Sequence, residues 1–256
     1  MKRHFALLIA LICMGGMSLY AGKKVNKVNN ADDAPLAQNL QVRCIAFYNL
    51  ENLFDTIHDE GKNDYEYLPD GGMKWTALKY EHKIHNMAYA ISQLGTDIDP
   101  RGAMCVGVAE VENLRCLEDL CQEINSKYDR NYKPILIEGP DRRGIDPAIV
   151  YSKDWFTLVE SATIPYYNPE DTAYHSRDIL YAKFIDNEDD TIHVFVNHWP
   201  SRYSGELETV GSRACSAAIL RAKVDSICEA MPEGYHAKII MMGDLNDCPT
   251  DPSVHD

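Results

Sequence analysis

Positive charge is what this sequence has least of. Its 256 residues carry 25 Lys and Arg against 39 Asp and Glu, a formal net charge of −14. A chain so acidic is repelled by a polyanion over most of its surface, which excludes extended non-specific wrapping of nucleic acid. Any phosphate-bearing ligand must therefore meet local positive charge, supplied by individual arginines or by a bound divalent cation. Long apolar runs are also missing: nothing beyond the N-terminus is long enough to cross a membrane. No internal repeat is visible, so a solenoid is excluded. Seven of the eight cysteines lie beyond residue 21, an odd number that cannot pair completely, and none shows metal-site spacing. Small buried apolar residues are the favoured reading over a disulfide framework.

What is present begins with a leader. Lys2, Arg3 and His4 precede the apolar run from Phe5 to Cys13, and small residues follow up to Ala21. This is the layout of a secretory signal peptide, residues 1–21, with cleavage expected after Ala21 and a periplasmic or secreted product. A lipoprotein reading of Cys13 is weakened by the bulk of Ile12, and an uncleaved anchor is the other alternative. Loss of Lys2 and Arg3 would leave 23 basic against 39 acidic residues, a net −16. Residues 22–40 read as a linker, and residues 41–256 as one domain. The whole chain's 45% hydrophobic and 25% charged content suit a soluble globular fold.

Along that domain, strands alternate with helices. Gln41 to Tyr48, Met104 to Ala109, Lys133 to Glu138, Ala148 to Tyr151 and Phe156 to Ala162 read as strands. Asp178 to Ile185 and Thr191 to Val196 form a hairpin around an acidic tip. Trp75 to Leu94 has helical spacing and a stop at Gly95, with His82 and His85 on its surface. Asn113 caps a second helix with Leu114, Leu117, Leu120, Cys121 and Ile124 inward, and Glu112 would favour that helix's N-terminus. Asp55 to Gly72 reads as a solvated polar loop rather than a calcium loop. Ser201 to Gly211 reads as a loop, and Ser212 to Met231 as a helix with Ala214, Ala218, Ile219, Ala222, Ile227 and Ala230 inward. Ile239 to Met242 reads as a strand buried on both faces, with Gly243 turning the backbone out of it.

Polar residues gather where these strands end. Asn49-Leu50-Glu51-Asn52-Leu53-Phe54-Asp55 follows the first strand, Ala109-Glu110-Val111-Glu112-Asn113 the second, and Val196-Asn197-His198-Trp199-Pro200-Ser201-Arg202 a later one. Gly243-Asp244-Leu245-Asn246-Asp247 follows the last. Strand C-terminal ends are where ligands bind in open α/β folds. With Asp141-Arg142-Arg143-Gly144-Ile145-Asp146, these segments resemble, in order and approximate spacing, the endonuclease/exonuclease/phosphatase superfamily over roughly residues 42–256.

The resemblance implies an α/β fold of two packed mixed β-sheets flanked by helices, a four-layer sandwich. It implies a metal-dependent phosphoesterase in which Glu110, aided by Asn49, binds Mg2+, with Mn2+ or Ca2+ as other occupants. His198 would face the scissile phosphate as a protonated imidazole, and Asp244 and Asn246 would position the attacking water and a phosphate oxygen. Arg142 or Arg143, and Arg202, would bind phosphate, with Arg213 nearby as a further source of positive charge. The expected partner is a phosphodiester, foremost nucleic acid, acting on a monomer without a membrane span in its mature form. A sugar or inositol phosphatase, a sphingomyelinase-like phospholipase and a catalytically silent binding module of the same fold remain open. The family continues to a late Ser-Asp-His motif, whereas this sequence stops at Asp256, so the last strands and that motif are expected to be missing.

Overall fold

The computed structural model describes residues 8–11 and 42–255. The cleavage point after Ala21, the linker at 22–40 and Asp256 lie outside the described residues. Among the described residues, nine strands form two sheets. β1 (Leu8–Leu11), β2 (Cys44–Leu53), β3 (Cys105–Val111), β4 (Tyr132–Ile135) and β5 (Asp146–Ser152) make a mixed sheet in the order β1-β2-β3-β5-β4. β6 (Phe156–Ile164), β7 (Ile179–Asp186), β8 (Thr191–His198) and β9 (Lys238–Asp244) make a second mixed sheet in the order β6-β7-β8-β9. β1, inside the run expected to direct export, pairs in parallel with β2.

The sheets pack face to face through Ile45, Cys105, Ile149, Phe184, Val194, Val196 and Met242. Helices α1 (Ala77–Gln93) and α2 (Leu114–Tyr128) cover the first sheet's other face through Ile84, Ile91, Leu117, Leu120 and Ile124. Helix α3 (Glu206–Glu229) covers the second sheet through Leu220 and Ile227, against Tyr181, Phe195 and Trp199. Four layers result, as the two sheet surfaces each need an apolar partner on both sides. A glycine is required at Gly107, where an added Cβ would lie 2.8 Å from Met242 Sδ and 3.0 Å from Val196 Cγ2.

Several sequence expectations are corrected. β9 is not buried on both faces: it is the outer strand of its sheet, and Met241 is 53% exposed. α3 starts at Glu206 rather than Ser212, because Glu206 and Glu208 suit a helix N-terminus and Gly211 is accommodated inside it. Its buried side consists of Arg213, Ser216, Leu220 and Ile227, while Ala214, Ala218, Ala222 and Ala230 are exposed. Ala214 and Ala218 line an apolar groove with Val210, Met241, Leu245 and Val254. Leu114 is also outward-facing, at 40% exposure. The loop from Asp55 is not merely solvated: Asp55 and Asp64 are buried, and a 3-10 turn forms at Tyr65–Tyr67. Glu112 does not serve the helix terminus, since its Oε2 accepts from the Asp55 backbone N–H at 2.7 Å. Asn113 does cap α2, accepting from Cys116 N–H. All seven cysteines of the described residues are free, and Cys44, Cys105, Cys116 and Cys121 are buried.

Candidate active site

Four strands from both sheets deliver the site residues. Asn49 and Ala109 are register partners across β2 and β3, and His198 and Asp244 are partners at the ends of parallel β8 and β9. The pairing of β2 with β3 shifts register after Asn49, and that of β3 with β5 after Val108. Glu51, Asn52 and Glu110 take left-handed backbone angles at these bulges, with φ of 52°, 63° and 64°. Non-glycine residues resist that region, so the surrounding sheet must hold them there. The bulges turn the Asn49 and Glu110 side chains out of the pleat toward β9. Gly243 makes the matching turn in β9, where a Cβ would sit 2.2 Å from the Asn197 carbonyl oxygen.

Asn49, Glu110, His198, Asp244 and Asn246 converge as the sequence pattern suggested. Asn49 Nδ2 donates to Asp244 Oδ2 at 3.1 Å and to Glu110 Oε1 at 3.4 Å. His198 Nε2 stands 3.8 Å from Glu110 Oε1, beyond hydrogen-bond range. Asp244 Oδ1 accepts from the Asn246 backbone N–H at 3.1 Å, and Asn246 Nδ2 donates to Trp199 O at 2.9 Å. Two half-buried carboxylates thus converge on one neutral amide. Glu110 and Asp244 are hard oxygen donors of the kind that suits Mg2+, Mn2+ or Ca2+, whereas the Asn49 amide oxygen accepts from Glu51 N–H at 2.8 Å.

His198 is 4% exposed, and its Nδ1 has no hydrogen-bond partner among the described residues. Burial, then the charges of Arg177 and Arg143, push its pKa well below the ordinary histidine value. The free protein's imidazole is thereby biased toward its neutral form, while the protonated one was expected opposite a phosphate. Arg143 reaches this field from an exposed position, while Arg142 is exposed and its carbonyl accepts from Asn63 N–H at 2.8 Å.

Arg202 differs from the expected phosphate ligand. Its Nε donates to Asn246 O at 2.6 Å, its Nη2 to Asp247 Oδ1 at 2.9 Å and to Asp251 Oδ2 at 2.7 Å, and its Nη1 pairs with Glu206 at 3.2 Å. Arg213 is 1% exposed and paired with Asp247 at 2.6 Å, so it offers no surface charge either. Arg177 is the residue that sequence reasoning missed. Buried at 8% exposure, it donates from Nε to His198 O at 3.2 Å and from Nη2 to Trp199 O at 2.6 Å, and its Nη1 faces Asp141 Oδ2 at 3.4 Å. It ties the turn carrying His198 to the loop carrying Arg143. A lone Ser-Arg-Asp before a strand gives no signal of that role.

A second group of donors, Asp55, Glu112 and Cys116, lies together beneath the loop that follows β2. Arg115 pairs with Asp55, and Asn113 Nδ2 donates to it at 3.1 Å. Burial, then the neighbouring Asp55, Asp59 and Asp64, raise Glu112 to about 8 despite its backbone hydrogen bond.

A sequence profile described as the Endonuclease/Exonuclease/phosphatase family matches residues 44–256. No curated protein matches the chain. Among solved structures, ANGEL2, a 2',3'-cyclic phosphatase, in complex with adenosine-2',3'-vanadate, is similar with a TM-score of 0.55 and 16% identity, over 82% of this chain and 55% of that one. A second ANGEL2 structure gives a TM-score of 0.53 and 18% identity over 69% and 47% of the two chains. An endonuclease/exonuclease/phosphatase family protein from Bacteroides thetaiotaomicron gives 0.51 and 15% over 82% and 64%. The chain thus spans about half the length of the ANGEL2 chains it resembles.

Proposed function

Because the chain belongs to the endonuclease/exonuclease/phosphatase family, we propose that it serves as an exported, divalent-metal-dependent phosphoesterase that hydrolyses phosphodiesters, foremost in nucleic acid. The observation that carries this reading is the convergence of Glu110, Asn49, Asp244, Asn246 and His198 at four strand ends. Glu110, aided by Asn49, would hold Mg2+, whose chemistry is to neutralise a phosphate oxygen and the leaving oxygen. Asp244, anchored by Asn49 and the Asn246 N–H, orients the attacking water and accepts its proton. Asn246 spends one amide hydrogen on Trp199 O and keeps the other for a non-bridging phosphate oxygen. His198 Nε2 faces the same space, and phosphate arriving there would raise its proton affinity. Arg143 supplies the positive charge that Arg202 does not.

The net charge of −14 favours a second reading, in which a small sugar or inositol phosphate or a phospholipid headgroup is the substrate. A silent binding module is the third. Purified protein assayed with Mg2+ against plasmid DNA, a 2',3'-cyclic nucleotide, sphingomyelin and a phosphomonoester separates them. Cleavage of DNA or the cyclic nucleotide supports the phosphodiester reading, and stabilisation by Mg2+ without turnover of any substrate overturns it. Export through residues 1–21 is likewise our proposal, tested by the N-terminal sequence of protein recovered outside the cytoplasm.

A further inference from the structure

Asn246 is held at its backbone N–H, its carbonyl and its side-chain amide nitrogen. Its backbone sits at φ 52°, a left-handed conformation that a non-glycine residue keeps only under constraint. Its N–H is fixed by Asp244 and its side-chain amide by Trp199 O. Its carbonyl is fixed by Arg202 Nε at 2.6 Å. Arg202 is in turn placed by Asp247, whose Oδ1 also forms an ion pair, without a hydrogen bond, with Arg213 Nε at 2.6 Å. Arg213 is anchored in the first turns of α3, donating to Glu206 O at 3.0 Å and Thr209 Oγ1 at 2.5 Å. A continuous line of charged contacts therefore runs from a buried helix residue to the backbone of Asn246. The Ser253 hydroxyl closes the other side of Asp247.

Carboxylates outnumber guanidinium groups in this line, three to two. Two guanidinium groups meet the carboxylates of Asp247, Asp251 and Glu206, so Arg202 brings no free positive charge to a phosphate. Its planar fork instead joins a carbonyl to two carboxylates in one geometry, which a lysine would not reproduce.

We infer that Arg202, Arg213 and Asp247 are positioning residues that set the Asn246 amide against the reacting phosphate, with Arg202 acting through the Asn246 carbonyl and not on substrate. This inference rests on the phosphodiesterase reading above. It replaces a phosphate-binding role for Arg202 with an indirect one, and the two roles differ in what they do to kinetics. A direct contact contributes to substrate binding whether or not Asn246 is intact. A positioning residue matters only while Asn246 has an amide to position.

The test is a double-mutant cycle on the full chain, with bis(p-nitrophenyl) phosphate and Mg2+. Arg202→Ala should lower kcat about tenfold with KM within about twofold, and should have no further effect in an Asn246→Ala background. Arg213→Lys, which keeps the charge but loses the fork, should repeat that pattern and guards against misfolding of the first variant. A rise in KM of equal size in both backgrounds would overturn the inference. If the wild-type protein does not turn over the probe, the functional reading is what has failed, and 15N-asparagine NMR decides the positioning separately. Displacement of the Asn246 side-chain amide resonance in Arg202→Ala supports it, and an unmoved resonance overturns it.

Discussion

Asn49 and Asp244, 195 positions apart, meet across the two sheets, with Asn49 Nδ2 donating to Asp244 Oδ2 at 3.1 Å. One amide thereby joins Glu110 on β3 to Asp244 on β9. A divalent cation drawn to Glu110 and Asp244 would compete for the same space, so substitutions here should act first through metal affinity.

Glu110→Gln is expected to reduce hydrolysis at least about 100-fold and to weaken Mg2+ binding, while Asn49→Ala should cost about 10- to 100-fold in metal affinity. Titrating activity with Mg2+ checks both. An unchanged Mg2+ dependence in Glu110→Gln would remove this residue from the metal site.

Arg177 and Asp141 should behave as a buried pair. Arg177→Met leaves Asp141 without its buried cation and is expected to lower unfolding free energy by roughly 3–5 kcal/mol. Asp141→Asn added to it should recover part of that loss. Urea unfolding of the two singles and the double gives the coupling, and strict additivity would show that the pair does not interact.

Asp146 gives a pH dependence of known sign. It is 1% exposed, its Oδ2 accepts from Gly139 N–H at 2.9 Å and its Oδ1 has no partner among the described residues. Burial raises its pKa from 3.8 to about 6. The folded state holds this proton more tightly than the unfolded chain, so the group's contribution is fully present below pH 4 and is lost as pH rises through 6. The loss is on the order of 2–3 kcal/mol. Asp146→Asn cannot ionise, so its stability relative to wild type should improve between pH 4 and 6 and level off above that. A constant difference across this window would count against the raised pKa.

Two glycines make a contrasting pair. Gly243→Ala would press a methyl against the Asn197 carbonyl at 2.2 Å, backbone against side chain, and should destabilise by at least about 1–3 kcal/mol while displacing Asp244. Gly211→Ala lies inside α3 with nothing within 4 Å, and should stabilise by about 0.5–1 kcal/mol. Thermal melts and activity assays on both variants check this.

The strand ends were legible because each leaves an apolar run and stops at a polar residue: Glu110 after Cys105–Ala109, His198 after Val194–Val196, Asp244 after Ile239–Met242. Periodicity located α1 and α2 for the same reason. What pattern could not show was partnership. Arg202 and Arg213 looked like free cations because the sequence does not say that Asp247 and Asp251 fold back onto them. Arg177 carries no pattern at all, since a single buried arginine is defined by carbonyls and a carboxylate that lie distant in the chain. The inner face of α3 was misread because Ala214 and Ala218 are apolar yet lie along a groove, while the buried Arg213 is charged but neutralised. Met241 was misplaced because an apolar run does not reveal whether its strand is central or at an edge.

The division of the site between the two sheets makes it a reporter of assembly. Residues up to Ser152 supply Asn49, Glu110 and Arg143, and residues from Phe156 onward supply Arg177, His198, Asp244 and Asn246. Neither half by itself holds a working set. Cut in the turn between β5 and β6 and expressed as two fragments, the chain should give hydrolysis only when the fragments dock through Gly107, Val196 and Met242, so turnover would count correctly joined molecules.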